Sequence, residues 1–142
     1  MEVLKSLFFI LRNSFKLFLI FLAPLVLFFF HLLISAFDAY YRYPPIDIPM
    51  HFLGGFTVAI SVVLFLKFLR NKGLFSKTKK HNIYIVLISV FNVAIFWEIS
   101  EAVIDIILCL NCQPSFMDTI GDVVMGMIGC FFVLLFFKNK LN

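Results

Sequence analysis

The residue types in this chain that could do chemistry are carboxylates, and most of them fall within apolar sequence. Six of the eight acidic residues and one histidine lie inside or at the edge of long apolar segments that contain no lysine or arginine. One ionised carboxylate at the bilayer centre costs about 2.5–3.5 kcal/mol on insertion scales. Such a set must face water, hold protons or hold a cation. Its members are Asp47, His51, Glu98, Glu101, Asp105, Asp118 and Asp122.

The spacing of these residues places each set on one face of a helix. Asp47 and His51 are four residues apart, and so are Asp118 and Asp122. Side chains three or four residues apart are neighbours on a helix surface, so each pair forms a stripe that should turn away from lipid. Small residues beside the stripes favour close helix packing. Glu98, Glu101 and Asp105 form a third stripe of the same kind. The small residues near the stripes are the glycines Gly54, Gly55, Gly121, Gly126 and Gly129.

Carboxylate oxygens with one imidazole form a donor set that suits a divalent cation. Mg²⁺, Mn²⁺, Zn²⁺ and Fe²⁺ all accept such ligands, and the sequence does not choose among them. Without a metal, closely spaced acids would hold protons instead. A spare acid beside a metal can act as a base toward water, and Glu101 is the candidate for this catalytic role. The candidate metal ligands are Asp47, His51, Glu98, Glu101, Asp118 and Asp122.

Several of these residues have a purely structural interpretation. Asp47 precedes Ile48 and Pro49 and could be a helix N-cap, and Asp118 ends a capping-box pattern that begins at Ser115. Asp105 could be a solvated residue at a helix end. Capping does not explain the residues inside the helices, which are His51, Glu98, Glu101 and Asp122. A lone intramembrane histidine is usually a packing residue, and we assign His31 to that class.

Four apolar runs supply the elements that must position these side chains. The chain is 63% hydrophobic, and the runs cover residues 17–37, 48–66, 83–108 and 119–137. A membrane-spanning helix needs about 20 such residues. The sequence therefore predicts an all-α, polytopic membrane protein, with one integral domain over residues 1–142 that forms a four-transmembrane-helix bundle. The first run exceeds a signal-peptide core, which favours a retained helix, and residues 3–11 before it are predicted to lie along the interface.

The distribution of basic residues predicts the orientation. Eleven of the twelve lysines and arginines fall on one side of the predicted topology, and Arg42 is the exception. We therefore expect a multi-pass protein of the plasma (inner) membrane, and the positive-inside rule places both of its termini in the cytoplasm. Membrane lipid is the expected partner, and the positive charge needs no nucleic acid to explain it. With this orientation the acidic set lies in the outer half of the bilayer, and Cys109 and Cys112 in an outer loop could form a disulfide.

Three short patterns in this order resemble a known family. They are Asp47-x-x-x-His51-Phe-x-x-Gly55, Glu98-x-x-Glu101, and Asp118-Thr-x-x-Asp122-x6-Gly129. Together they resemble the YjdF-like family of small bacterial inner-membrane proteins, over roughly residues 47–137. A looser likeness connects them with the VanZ-like family, associated with glycopeptide resistance, although the second acid of each pattern fits YjdF better. The resemblance implies the membrane class and the choice of polar residues, and it names no substrate.

The sequence is compatible with three functions from different classes. The first is a metal-dependent enzyme that acts on a lipid or envelope headgroup at the outer leaflet. The second is a cation- or proton-coupled transporter, which four helices would support only as a homo-oligomer, and no acidic ladder continues to the cytoplasmic half. The third is a non-catalytic assembly or resistance factor whose polar core fixes helix packing. No P-loop, G-x-S-x-G or dinucleotide motif is present in the sequence.

Overall fold

The described part of the chain is helical. A computed structural model describes residues 2–37, 39–74, 78–108 and 116–137, and their side chains except those of residues 2–11, 104, 105 and 108. These residues include no strand. The elements in chain order are α1 (Glu2–Ala36), α2 (Ala39–Arg42), a 3₁₀ turn (Pro44–Ile46), α3 (Asp47–Asn71), α4 (Lys79–Leu108) and α5 (Phe116–Phe137). Cys109 and Cys112, for which a disulfide was considered, lie outside the described residues.

Four of these helices are long and apolar enough to cross a membrane. The candidate spans are Arg12–Ala36, Pro44–Asn71, Lys79–Val103 and Phe116–Phe137. This confirms the all-α class and the four-helix membrane bundle. Large apolar side chains are exposed on the outside of the bundle, including Phe29, Phe96 and Phe136. In a bilayer these side chains contact lipid rather than water, so their exposure is expected of a membrane protein.

The helices extend past the apolar runs from which they were predicted. Helix α1 begins at Glu2 and includes residues 3–11, so this stretch continues the helix and is not a separate element. Helix α3 likewise continues to Asn71 and α4 starts at Lys79. Apolar runs mark only the part of a helix that lies in lipid. Lysine and arginine are good helix formers, so a helix continues through them beyond the membrane.

Helix α3 is the central element, because it packs against α1, α4 and α5. Its closest neighbour is α5. A Cβ atom added to Gly55 would collide with the backbone carbonyl of Gly126, and one added to Gly129 would collide with the carbonyl of Phe52. The two backbones approach this closely only because both positions are glycine. Below this contact the core is apolar and is built from Ala59, Val63, Val86, Val90, Cys130 and Val133.

A proline in α1 is compensated by a side chain of α3. Pro24 lies inside α1 and has no N–H group, so the carbonyl of Ile20, four residues earlier, loses its usual helical donor. The Ser61 hydroxyl donates a hydrogen bond to that carbonyl at 2.7 Å, and Ser61 is almost fully buried. In lipid an unpaired carbonyl costs several kcal/mol, so this bond both satisfies α1 and attaches it to α3.

Candidate functional site

The site begins where α3 begins. The 3₁₀ turn Pro44–Ile46 leads directly into Asp47, the first residue of α3. The N-cap residue is Ile46, with no side-chain capping bond, so Asp47 does not have the capping role that its position suggested. Instead its Oδ1 lies 3.2 Å from Nε2 of His51, one turn further along. The i, i+4 spacing places the Asp47 carboxylate beside the His51 imidazole, as the sequence predicted.

Both ring nitrogens of His51 face carboxylates from other helices. Nδ1 lies 3.5 Å from Oε1 of Glu98 in α4. Nε2, which already faces Asp47, also lies 3.8 Å from Oδ1 of Asp122 in α5. Three helices therefore contribute acids to one imidazole ring. We call the set of Asp47, His51, Glu98, Glu101 and Asp122 the His51 cluster.

The ligand atoms of the His51 cluster fall into two groups that share the histidine. Asp47, His51 and Asp122 each offer an atom, and these atoms lie within 4.8 Å of one another. His51, Glu98 and Glu101 form a second group by the same measure. All members except Asp47 are only 3–9% exposed, so the cluster is shielded from its surroundings. Each group has the donor types that a divalent cation accepts.

Glu101 is held by neighbours on two helices. The indole N–H of Trp97, one turn earlier in α4, donates to Oε1 of Glu101 at 2.9 Å. The same oxygen lies 3.7 Å from Nε2 of His31 in α1. The other ring nitrogen of His31 lies 2.7 Å from the hydroxyl of Tyr40 in α2. These contacts connect the His51 cluster to α1 and to the segment before α3.

Three residues of this arrangement were missed by sequence reasoning. His31 was interpreted as a packing residue, and Trp97 and Tyr40 were not among the candidate residues. His31 does pack on aromatic rings, with its centroid 4.6 Å from Trp97 and 5.3 Å from Tyr40. It also contacts Glu101, which packing alone did not suggest. The available indication was depth, because His31 lies near the end of α1 that the topology places level with Glu101.

One other candidate acid, Asp118, stands apart from the cluster. Asp118 lies one turn before Asp122 in α5 and is half-buried, and it belongs to neither of the two ligand groups. Ser115, the other half of its proposed capping box, lies outside the described residues, and so does the side chain of Asp105. The structure thus brings together five of the six residues proposed as metal ligands and leaves Asp118 at the edge.

Residues 3–142 match the model of a family described as "Predicted membrane protein (DUF2238)". The chain belongs to this family. The match covers all four spans and all members of the His51 cluster, so DUF2238 membership supports the membrane class independently of the structure. The looser likeness to the VanZ-like family has no support from it.

Comparison with curated proteins and with solved structures found no significant match. The DUF2238 description states a membrane location and no activity. Any function must therefore be argued from the residues of the His51 cluster and their surroundings.

Proposed function

We propose that the His51 cluster holds a divalent cation. The observation that carries this proposal is the convergence of carboxylates from three helices on both nitrogens of His51. Four ionised carboxylates around one imidazole would leave excess negative charge even with the ring protonated. Residues 43–66, 83–108 and 116–137 contain no lysine or arginine to balance it. In a medium where uncompensated charge is costly, a cation is the simplest counter-charge.

The chemistry of imidazole suggests which residues would bind the cation and which would orient the ring of His51. A histidine usually binds a metal through one ring nitrogen, while the other donates its N–H to a carboxylate that orients the ring. A cation on the Nε2 side would take Asp47 and Asp122, with Glu98 accepting from Nδ1. A cation on the Nδ1 side would take Glu98 and Glu101 instead. Ligands at about 2.1 Å from an ion are at most about 4.2 Å apart, close to the spacing found here.

The reaction that fits this site best is metal-dependent hydrolysis or transfer at a lipid or envelope headgroup. The cation would supply Lewis acidity to a water molecule or to the headgroup, and Glu101 would accept the proton. Its hydrogen bond from Trp97 favours this role, because it holds the carboxylate in one orientation. A transporter would need a polar route across the bundle. The wall beneath the cluster includes Val90, Val93 and Ala94, which favours an enzyme.

The cellular location is part of the same proposal. With both termini in the cytoplasm of a plasma-membrane protein, the His51 cluster faces the outer leaflet, as the excess of lysine and arginine on the opposite side favours. We also propose that the family is the YjdF-like one. Its three motifs all lie within the matched residues 3–142.

Elemental analysis of the purified protein in detergent tests the cation site directly. We expect stoichiometric divalent metal in the wild type and a loss of it in the double variant Glu98→Gln/Glu101→Gln. Asp118→Asn is the matched control, because it removes an acid from the same end of the bundle but from neither ligand group. It should retain the metal. Wild-type protein that is free of metal after incubation with Mg²⁺, Mn²⁺, Zn²⁺ and Fe²⁺ would refute the proposal.

A further inference from the structure

A cavity lies directly beneath the His51 cluster. Its volume is about 150 Å³, and α1, α3, α4 and α5 all contribute to its wall. His31, His51 and Trp97 form its polar end. Away from them, toward the middle of each helix, the lining is mainly apolar and includes Leu27 and Val90. Polar donors therefore lie at one end of the cavity and hydrocarbon side chains at the other.

The exposed residues of the cavity wall lie on α1 and α4, which places its opening in the gap between these two helices. Helix α1 packs against α3, and its backbone makes few contacts with α4. The two lining residues on the sides of this gap are Phe28 of α1 and Val93 of α4, which are 40% and 44% exposed. Both lie inside candidate membrane spans. The medium at this opening is therefore the hydrocarbon of the bilayer.

We infer that the cavity holds the first part of an acyl chain of a membrane phospholipid whose phosphate lies at the His51 cluster. The inference rests on the proposed cation, because the carboxylates alone would repel a phosphate. With the cation present, phosphate oxygens are hard ligands that can complete its coordination. The occupant is thus an anionic lipid that enters sideways through the gap between α1 and α4.

The order of polar and apolar surfaces matches a lipid in its own leaflet. A leaflet lipid has its phosphate near the membrane surface and its chain directed to the midplane. The His51 cluster and the cavity follow the same order along α3, from Asp47 through His51 to Val58. An apolar cavity of about 150 Å³ accepts a ligand the size of benzene, so there is room for about six carbons of a chain.

The physics of the membrane predicts that the phosphate supplies most of the affinity. Lipid tails are as apolar as leucine, so moving a chain from the bilayer into the cavity gains no hydrophobic free energy. Discrimination must then come from the bond between phosphate and cation, and the chain contributes mainly through its fit. Binding of the lipid should therefore require the metal, and a lipid without phosphate should not compete.

Trp97 provides a direct measurement, because it is the only tryptophan in the chain and it lines the cavity. Protein in maltoside micelles with saturating Zn²⁺ or Mg²⁺ is titrated with phosphatidylglycerol that carries bromine near the start of one acyl chain. Bromine quenches indole fluorescence on contact. We expect saturable quenching that EDTA abolishes. Diacylglycerol with the same brominated chain should give only the weak, unsaturable quenching of a lipid in the micelle.

Variants that fill the cavity test whether the acyl chain of the lipid binds there. Gly54 lines the cavity and has open space around its missing Cβ, so Gly54→Leu should remove the saturable phase. Gly121 also has open space but does not line the cavity, so Gly121→Leu is the matched control and should bind as the wild type does. Val93→Phe, at the exposed edge of the gap, is a second filling variant in case Gly54→Leu does not fold.

The outcomes separate this inference from the proposed function. Metal-loaded protein whose quenching is the same in Gly54→Leu, Val93→Phe and Gly121→Leu would overturn the chain site and leave the cation site intact. Equal quenching by brominated diacylglycerol, or quenching that survives EDTA, would overturn the placement of the phosphate at the cation. Absence of metal in the elemental analysis would refute the proposed function itself, and the phospholipid site would fall with it.

Discussion

The tautomer of His51 decides which of the two ligand groups could accept a cation. A neutral imidazole has one N–H donor and one lone pair. When the lone pair is on Nε2, a cation can join Asp47 and Asp122, and the N–H on the other side points toward Glu98. The opposite tautomer reverses these roles. The proposed cation would therefore have two alternative positions about one ring, and the neighbouring carboxylates would set the balance between them.

Removing one charge from the His51 cluster should remove the stabilisation by metal. A ligand that binds only the native state stabilises it by about 2.7 kcal/mol at a concentration 100 times its Kd. We expect the melting temperature of the wild type in detergent to rise with divalent metal and that of Glu98→Gln or Asp122→Asn to respond little. Asp118→Asn should respond as the wild type does. If chelator and metal leave the wild-type curve unmoved, the cluster is protonated or filled with water.

The bond between Tyr40 and His31 should contribute measurably to stability. Tyr40→Phe removes only the hydroxyl that lies 2.7 Å from the ring of His31. A typical hydrogen bond contributes about 1 kcal/mol net, so the variant should unfold more easily by about that amount. Tyr41→Phe is the control, because Tyr41 is 84% exposed. Denaturant or thermal unfolding in detergent gives the comparison, and equal stability of the two variants would contradict the role of this bond.

Most of the donor set was predictable because it depends on spacing within one helix. The pairs Asp47 with His51 and Glu98 with Glu101 share a face whatever the tertiary structure is. The contact of His31 with Glu101 was not predictable in the same way. It depends on how α1 sits against the other helices, and a single sequence contains no spacing that reports this.

The position of helix α5 along helix α3 is set by backbone contact. Gly55 faces Gly126, and Gly129 faces Phe52, without room for a side chain at either glycine. The sequence suggested close packing from its glycines but did not say which of them make the contact. Gly54 and Gly121 have open space instead. Only the rotation of each helix about its axis distinguishes them, and composition does not determine that angle.

Adding one methyl group at either of two adjacent glycines should have different effects on stability. Gly55→Ala places a Cβ against the carbonyl of Gly126, so α3 and α5 must separate. Overpacking of this kind costs about 1–3 kcal/mol. Gly54→Ala meets nothing and should be neutral, or stabilising by up to about 1 kcal/mol, because alanine is the better helix former. Thermal unfolding of the two variants measures the difference, and similar curves would argue against the close approach of α3 and α5.

The membrane class of this chain follows from features that are visible in its sequence. A run of about 20 apolar residues is long enough to cross a bilayer, and four such runs are visible without any tertiary information. The ends of the helices were less predictable. Helix α1 extends back to Glu2, since nothing in its polar residues stops a helix. Orientation is a separate property, and the distribution of lysines and arginines indicates it.

Two engineered cysteines should report the orientation. Tyr41 and Leu74 are strongly exposed and lie at opposite ends of the bundle, near the starts of α3 and α4 respectively. In a background without the three native cysteines, we expect Tyr41→Cys to react with a membrane-impermeant maleimide in intact cells. Leu74→Cys should react only after the membrane is opened. The reverse pattern would place the His51 cluster on the cytoplasmic side and exclude an outer-leaflet substrate.

The glycine contact between α3 and α5 also bears on how this protein can change over evolutionary time. Because backbone atoms fix the height of Asp122 opposite His51, the scaffold does not depend on which donor occupies either position. If the site binds the cation proposed above, replacing Asp122 with histidine or asparagine would alter the preferred metal while the helices stay in register. One ancestral bundle could then supply descendants with different ions, and a protein engineer could retune the site in the same way.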